Sequence, residues 1–142
     1  MKISEIMTRD PQCVSPTDTL IDAAVILRDL DVGSVLVCDH DRIAGILTDR
    51  DISIRAVADG RDPHRTLVRD VMTPDVSFVF EDDDVSAAVE HFEKDQVRRL
   101  PVLDRDKRLV GILSLGDLAV DADLQLGAEV LREISTPSHP LR

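Results

Sequence analysis

The chain says much the same thing twice. Gly45-Ile46-Leu47-Thr48-Asp49-Arg50-Asp51 returns as Gly111-Ile112-Leu113-Ser114-Leu115-Gly116-Asp117. Upstream, Ile6-Met7-Thr8 returns as Val71-Met72-Thr73, with one extra residue entering between the two motifs. A repeat this long is a whole supersecondary unit, and two copies predict a pseudo-symmetric pair sharing one core. Such a pair encloses clefts between parts that are alike but not identical. Function is expected there.

Each copy reads as β-α-β-β-α, which makes the fold class α+β. Short strands are predicted at 13–15 and 78–80. The helix of the first copy carries Leu20, Ala23, Ala24, Leu27 and Leu30 on one face, with Thr17 as its expected N-cap. In the second copy Val85, Ala88, Val89 and Phe92 take those places, and the acidic run Glu81 to Asp84 meets the positive end of the helix dipole. Hairpins follow, with strands at 34–38 and 43–47, then 100–103 and 109–113. Their continuous apolar runs predict burial on both faces. Second helices are predicted from Thr48 to about Ala58 and from Ser114 to about Ala122. These elements divide the chain into repeat 1 at 1–62, repeat 2 at 63–123, and a C-terminal helix and tail at 124–142. The helix is expected at 124–134 and a frayed end beyond it.

A length of 142 residues, 43% of them apolar, suits one compact domain or two joined half-domains. The chain has no Trp or Tyr and only three Phe, so a stacking platform for single-stranded nucleic acid is not expected. A net charge of −11 opposes binding a polyanion through a broad basic face, though a few arginines can still hold one small anion. Cys13 and Cys38 match neither a disulfide framework nor a zinc spacing, and two buried thiols are expected. His40, His64, His91 and His139 are scattered, and no metal cluster is expected. The start of the chain does not read as a signal peptide, and no apolar run approaches the roughly 20 residues that span a bilayer. A cytoplasmic location without membrane contact is expected.

The order of elements, the Met-Thr start of each copy, Arg99-Leu100-Pro101-Val102 and the two Gly-x-x-Thr/Ser-x-x-Asp endings resemble a tandem pair of CBS (cystathionine beta-synthase) domains. The resemblance runs from about Ile3 to Ala122. Thr48-Asp49-Arg50-Asp51, Gly60-Arg61-Asp62-Pro63 and Gln96-Val97-Arg98-Arg99 look like the small stand-alone bacterial members, including hypoxic-response-type proteins. The resemblance implies two repeats packed with pseudo-twofold symmetry, two clefts that hold adenosine-containing ligands such as AMP, ADP, ATP or S-adenosylmethionine, and assembly into a homodimer. It implies no cofactor beyond such a regulatory nucleotide.

The repeated motif has two physical readings. In one, Thr48 and Ser114 cap helix starts, and Asp51 and Asp117 complete a capping box. In the other, the same helix starts receive a phosphate. The hydroxyls of Thr48 and Ser114 then donate to it, and the carboxylates of Asp51 and Asp117 accept from a ribose. The resemblance assigns these aspartates to the ribose. Arg50, within the same run, is a further ligand candidate. Arg98 and Arg99 either stand in solvent or grip phosphate bidentately. Repeat 1 carries Val32-Gly33 there, so the two clefts are expected to differ in charge. The resemblance places Thr8 and Thr73 near the base and phosphate. Adenine would need apolar neighbours, for which Val14 and Val79 are candidates.

The leading expectation is a non-catalytic regulatory module binding an adenine nucleotide and signalling to an unidentified protein partner. The alternative is a dimerisation scaffold with vestigial clefts. No nucleophile–base set or phosphate-binding glycine loop points to an enzyme.

Overall fold

The computed structural model describes residues 1–122 together with Ala128, Leu131 and Arg132. The helix expected at 124–134 lies outside the described residues apart from those three positions, which are helical, and the tail beyond it lies wholly outside. In chain order the elements are a 3-10 turn (Ile3–Glu5), β1 (Thr8–Arg9), β2 (Cys13–Val14), α1 (Leu20–Leu30), β3 (Ser34–Asp39), β4 (Arg42–Thr48), α2 (Asp49–Asp51), α3 (Val68–Val71), β5 (Val79–Phe80), α4 (Val85–Asp95), β6 (Arg99–Leu103), β7 (Leu109–Ser114) and α5 (Leu115–Asp117). Helices α2 and α5 continue with π-helical winding over Ile52–Val57 and Leu118–Ala122.

The chain packs as two compact units that are offset from the sequence repeats. One is Gln12–Val76; the other joins Met1–Pro11 to the chain from Ser77 onward. These packing units are a different division of the chain from the sequence repeats at 1–62 and 63–123. Each unit takes its Met-Thr segment from the start of the other repeat. In the first unit the sheet order is β2-β3-β4, and Thr73 adds at the edge of β4 through mutual bonds with Ile46 of 2.9 Å each. In the second unit the order is β1-β7-β6-β5, with Thr8 opposite Ile112 and Arg9 opposite Gly111.

Glycine makes this edge possible. A Cβ at Gly45 would lie 2.6 Å from the Thr73 carbonyl oxygen and 2.9 Å from Met72 Sδ. A Cβ at Gly111 would lie 2.6 Å from Met7 Sδ and 2.9 Å from the Thr8 carbonyl oxygen. The two repeated motifs are thus the two sides of one contact, made once in each unit.

Each unit has its own apolar cluster. Leu20, Ala23, Leu27, Val37, Leu47, Val68 and Val71 are buried in the first, and Ile3, Ala88, Phe92, Leu100, Val102, Leu113 and Leu118 in the second. Phe92 is wholly buried and is the largest of these side chains. The helix faces follow the expected spacing except at Ala24, which is half-buried, and Leu30, which is exposed at the last residue of α1. Strands β3 and β6 are buried on both faces. Strands β4 and β7 alternate, because only one side faces the cluster.

The cap of α1 is Thr19 rather than Thr17. Thr19 Oγ1 accepts from the Asp22 amide at 3.3 Å and Asp22 Oδ2 accepts from the Thr19 amide at 3.2 Å, while Thr17 pairs with Ser15. Asp84 caps α4, accepting from the Ser86 amide at 3.1 Å.

Candidate functional site

Strand β4 runs straight into α2, and β7 into α5. Extended backbone at Thr48 and Ser114 turns each chain into its helix and leaves free amides there. Both hydroxyl residues answer them. Thr48 Oγ1 accepts from the Asp51 amide at 3.0 Å, and Asp51 Oδ2 accepts from the Thr48 amide at 3.0 Å. Ser114 Oγ accepts from the Asp117 amide at 3.0 Å, and Asp117 Oδ2 accepts from the Ser114 amide at 2.9 Å. The capping box is present twice. It occupies one carboxylate oxygen of each aspartate with a backbone amide and fixes where the other points. Asp51 is directed inward, its side chain 14% exposed.

The exchanged segments bring further predicted residues to each helix start. In the first unit, Thr73 is held on β4, the strand that delivers Thr48 and Asp51. Arg55 completes this group. Its Nη1 donates to the Val71 carbonyl at 3.1 Å, the Met72 carbonyl at 3.3 Å and Thr73 Oγ1 at 3.5 Å. Its Nε lies 3.8 Å from Asp51 Oδ1. Sequence reasoning missed Arg55. The signal was a cation four residues after a first-turn aspartate, the spacing of a helical ion pair. Arg50 is exposed, and its amide donates to Asp49 Oδ1 at 2.8 Å.

In the second unit, Thr8 lies on β1, beside β7, which delivers Ser114 and Asp117. Repeat alignment puts Asp121 where the first unit has Arg55. The positive charge comes instead from Arg98 and Arg99, both exposed. The amide of Leu115 donates to the Arg98 carbonyl at 2.9 Å, and Arg99 pairs with Ser114 across β6 and β7. The start of β6 is thereby fixed against the start of α5. A cavity of about 520 Å³ opens there, lined by Arg98, Arg99, Ser114, Leu115, Gly116 and Ala119, and also by Ala128 and Leu131. Its lining thus brings two arginines and a serine beside the small and apolar residues Leu115, Gly116 and Ala119. The volume is that of a small-molecule pocket.

The two helix starts thus differ in charge placement, Arg55 standing at one and Arg98 and Arg99 at the other. Val14 and Val79 are 4% and 1% exposed, so they belong to the interior and offer no surface to an adenine ring. Among the described residues no group of three or more His, Cys, Asp or Glu is placed to hold a metal ion, and no helix is long and apolar enough to cross a membrane.

The model of the CBS domain matches residues 3–56 and 68–120. The protein MK0525 of Methanopyrus kandleri is 34% identical over 119 residues, covering 83% of this chain; the chain spans only 61% of that relative's length. Hypoxic response protein 1 of Mycobacterium tuberculosis is 36% identical over 116 residues, covering 81% of this chain and 80% of the relative. The solved structure of the CBS domain protein PAE2072 from Pyrobaculum aerophilum, complexed with AMP, superposes with a TM-score of 0.76 at 27% identity, covering 91% of this chain and 99% of that one. With both repeats matched in order, this chain belongs to the CBS domain family.

Proposed function

We propose that the chain is a non-catalytic regulatory module that binds an adenosine-containing ligand such as AMP, ADP or ATP. One observation carries the reading: a single cavity at the start of α5 is lined by Arg98, Arg99 and Ser114 together with Leu115, Gly116 and Ala119. Guanidinium groups supply the bidentate charge a phosphate needs. Asp117 is not among the residues that line the cavity; its second carboxylate oxygen, left over by the capping box at the same helix start, is the proposed acceptor for ribose hydroxyls. The AMP complex of PAE2072, a protein of the same fold, supports the ligand class. In this reading the module works as a homodimer and passes its ligand state to a protein partner through different affinities of its conformations.

The test is calorimetry on refolded, ligand-free protein with AMP, ADP, ATP and S-adenosylmethionine. Binding of an adenine nucleotide is expected, lost in Arg98→Ala/Arg99→Ala and in Asp117→Ala. Absence of heat with all four ligands at high micromolar protein would overturn the nucleotide reading.

A second reading, a dimerisation scaffold without a physiological nucleotide, is favoured by the capping boxes, which give both aspartates a purely structural task. It expects the aspartate variants to lose helix-end stability alone.

A further inference from the structure

The sequence predicts two buried free thiols. Cys13, in β2, is instead half-buried, and Cys38, in β3, is 5% exposed. Strand β2 runs parallel to β3, with Cys13 opposite Leu36. Side chains alternate along a strand, so Cys38, two residues beyond Leu36, shares the face of Cys13. The bulge at Val37/Cys38 leaves that alternation intact, because its extra residue, Ala44, is on β4. The two Sγ atoms lie 2.9 Å apart, with Cys38 donating to Cys13. A sulfur–sulfur bond is about 2.0 Å long, so bond formation needs less than a side-chain rotation's worth of movement.

We propose that Cys13 and Cys38 form a reversible dithiol–disulfide site, closed by exchange with a low-molecular-weight disulfide and opened by a thiol reductant. The half-buried Cys13 is the attacking sulfur and the enclosed Cys38 the resolving one. The Cys38 S–H bond to Cys13 holds the Cys13 thiol below its ordinary value. Retention of its own proton in that bond, and burial, push Cys38 up. The thiolate is the nucleophile, so this difference sets the order of events.

The step balances as follows. The Cys13 thiolate attacks one sulfur of the reagent disulfide. The reagent S–S bond breaks, one thiolate leaves and takes a proton, and a mixed disulfide remains on Cys13 Sγ. Cys38 then yields its proton to solvent and attacks Cys13 Sγ, and the second reagent thiolate leaves and is protonated. Two cysteine thiols are oxidised and one reagent disulfide is reduced to two thiols. The new bond ties the two-residue strand β2 to β3 and closes a loop containing α1. A loop of this kind restricts the unfolded chain.

The test uses the full reduced chain incubated with oxidised glutathione and followed by intact mass, thiol titration and thermal unfolding. Wild type is expected to lose the mass of two hydrogens and both titratable thiols, to yield a peptide linking Cys13 to Cys38, and to unfold at a higher temperature until dithiothreitol reverses the change. Cys38→Ser is expected to stop at a glutathione adduct on Cys13. Cys13→Ser is expected to react at Cys38 at least about tenfold more slowly. Wild type that remains a dithiol in excess oxidised glutathione, stops at the adduct, or links between chains would overturn the proposal. The wild-type readouts, which alone can overturn the proposal, require neither a nucleotide nor a variant that folds.

Discussion

The guanidinium of Arg55 donates to the carbonyl of Val71 at 3.1 Å. Two further acceptors, the Met72 carbonyl and Thr73 Oγ1, share the same Nη1. A single side chain on the helix after β4 therefore pins the segment that opens the second repeat.

Arg55→Ala is expected to cost about 1–2 kcal/mol, the loss of charge-assisted bonds by a half-exposed side chain. Urea unfolding should show a lower midpoint with an unchanged slope. Hydrogen exchange at the Thr73 amide, which donates to the Ile46 carbonyl at 2.9 Å, should quicken more than exchange within β3. Arg55→Lys should recover only part of the loss, because an ammonium cannot reproduce the planar fork.

Gly45→Ala and Gly111→Ala are each expected to destabilise by roughly 1–3 kcal/mol. The obstructing atoms include backbone carbonyl oxygens of Thr73 and Thr8, which cannot swing away as a methionine side chain can. Gly116→Ala is the control. Among the described residues its Cβ would meet only Ser114 Oγ, at an ordinary 3.6 Å. Removing a helical glycine should raise stability by roughly 0.5 kcal/mol. Thermal midpoints of the three variants measured side by side check the ordering.

Thr48→Ala and Ser114→Ala are each expected to cost about 1 kcal/mol, since each strands a helix-start amide. Thr48→Ser should be close to neutral. Chemical denaturation separates these losses from ligand effects, because it is measured without nucleotide.

Asp84 has its pKa pulled from 3.8 down to about 2, chiefly by the bond it accepts from the Ser86 amide. A carboxyl whose folded value is depressed stabilises the fold above its unfolded value and loses that contribution as pH falls through its folded value. Asp84→Asn should therefore be less stable than wild type at neutral pH. The gap should narrow as pH falls below 3.8 and close near 2. Thermal midpoints across an acid series measure it; a gap that widened toward low pH would contradict the assignment.

Much of this fold was legible in residue order. The spacing of Leu20, Ala23 and Leu27, and of Ala88 and Phe92, marked the buried helix faces. The spacing Thr48-x-x-Asp51 and Ser114-x-x-Asp117 announced capping boxes that are present at both places. Leu30 was misread because periodicity carries no information on where a core ends. Thr17 was misread because Thr19 lies two residues away with an aspartate at the right spacing, and only the hydrogen bonds choose between them.

The sequence by itself determined the two copies, their order of elements, the helix starts and the difference in charge between 32–33 and 98–99. All of these rest on periodicity, capping and charge within a few residues. The tertiary structure alone decided that Met7-Thr8 lies against Gly111 and Met72-Thr73 against Gly45, that Arg55 reaches Val71, and that Cys13 meets Cys38. The physical reason is that an edge strand's amides and carbonyls are chemically alike along its length. Its partner is chosen by which distant surface leaves room for its backbone, and that room exists only once the chain has folded.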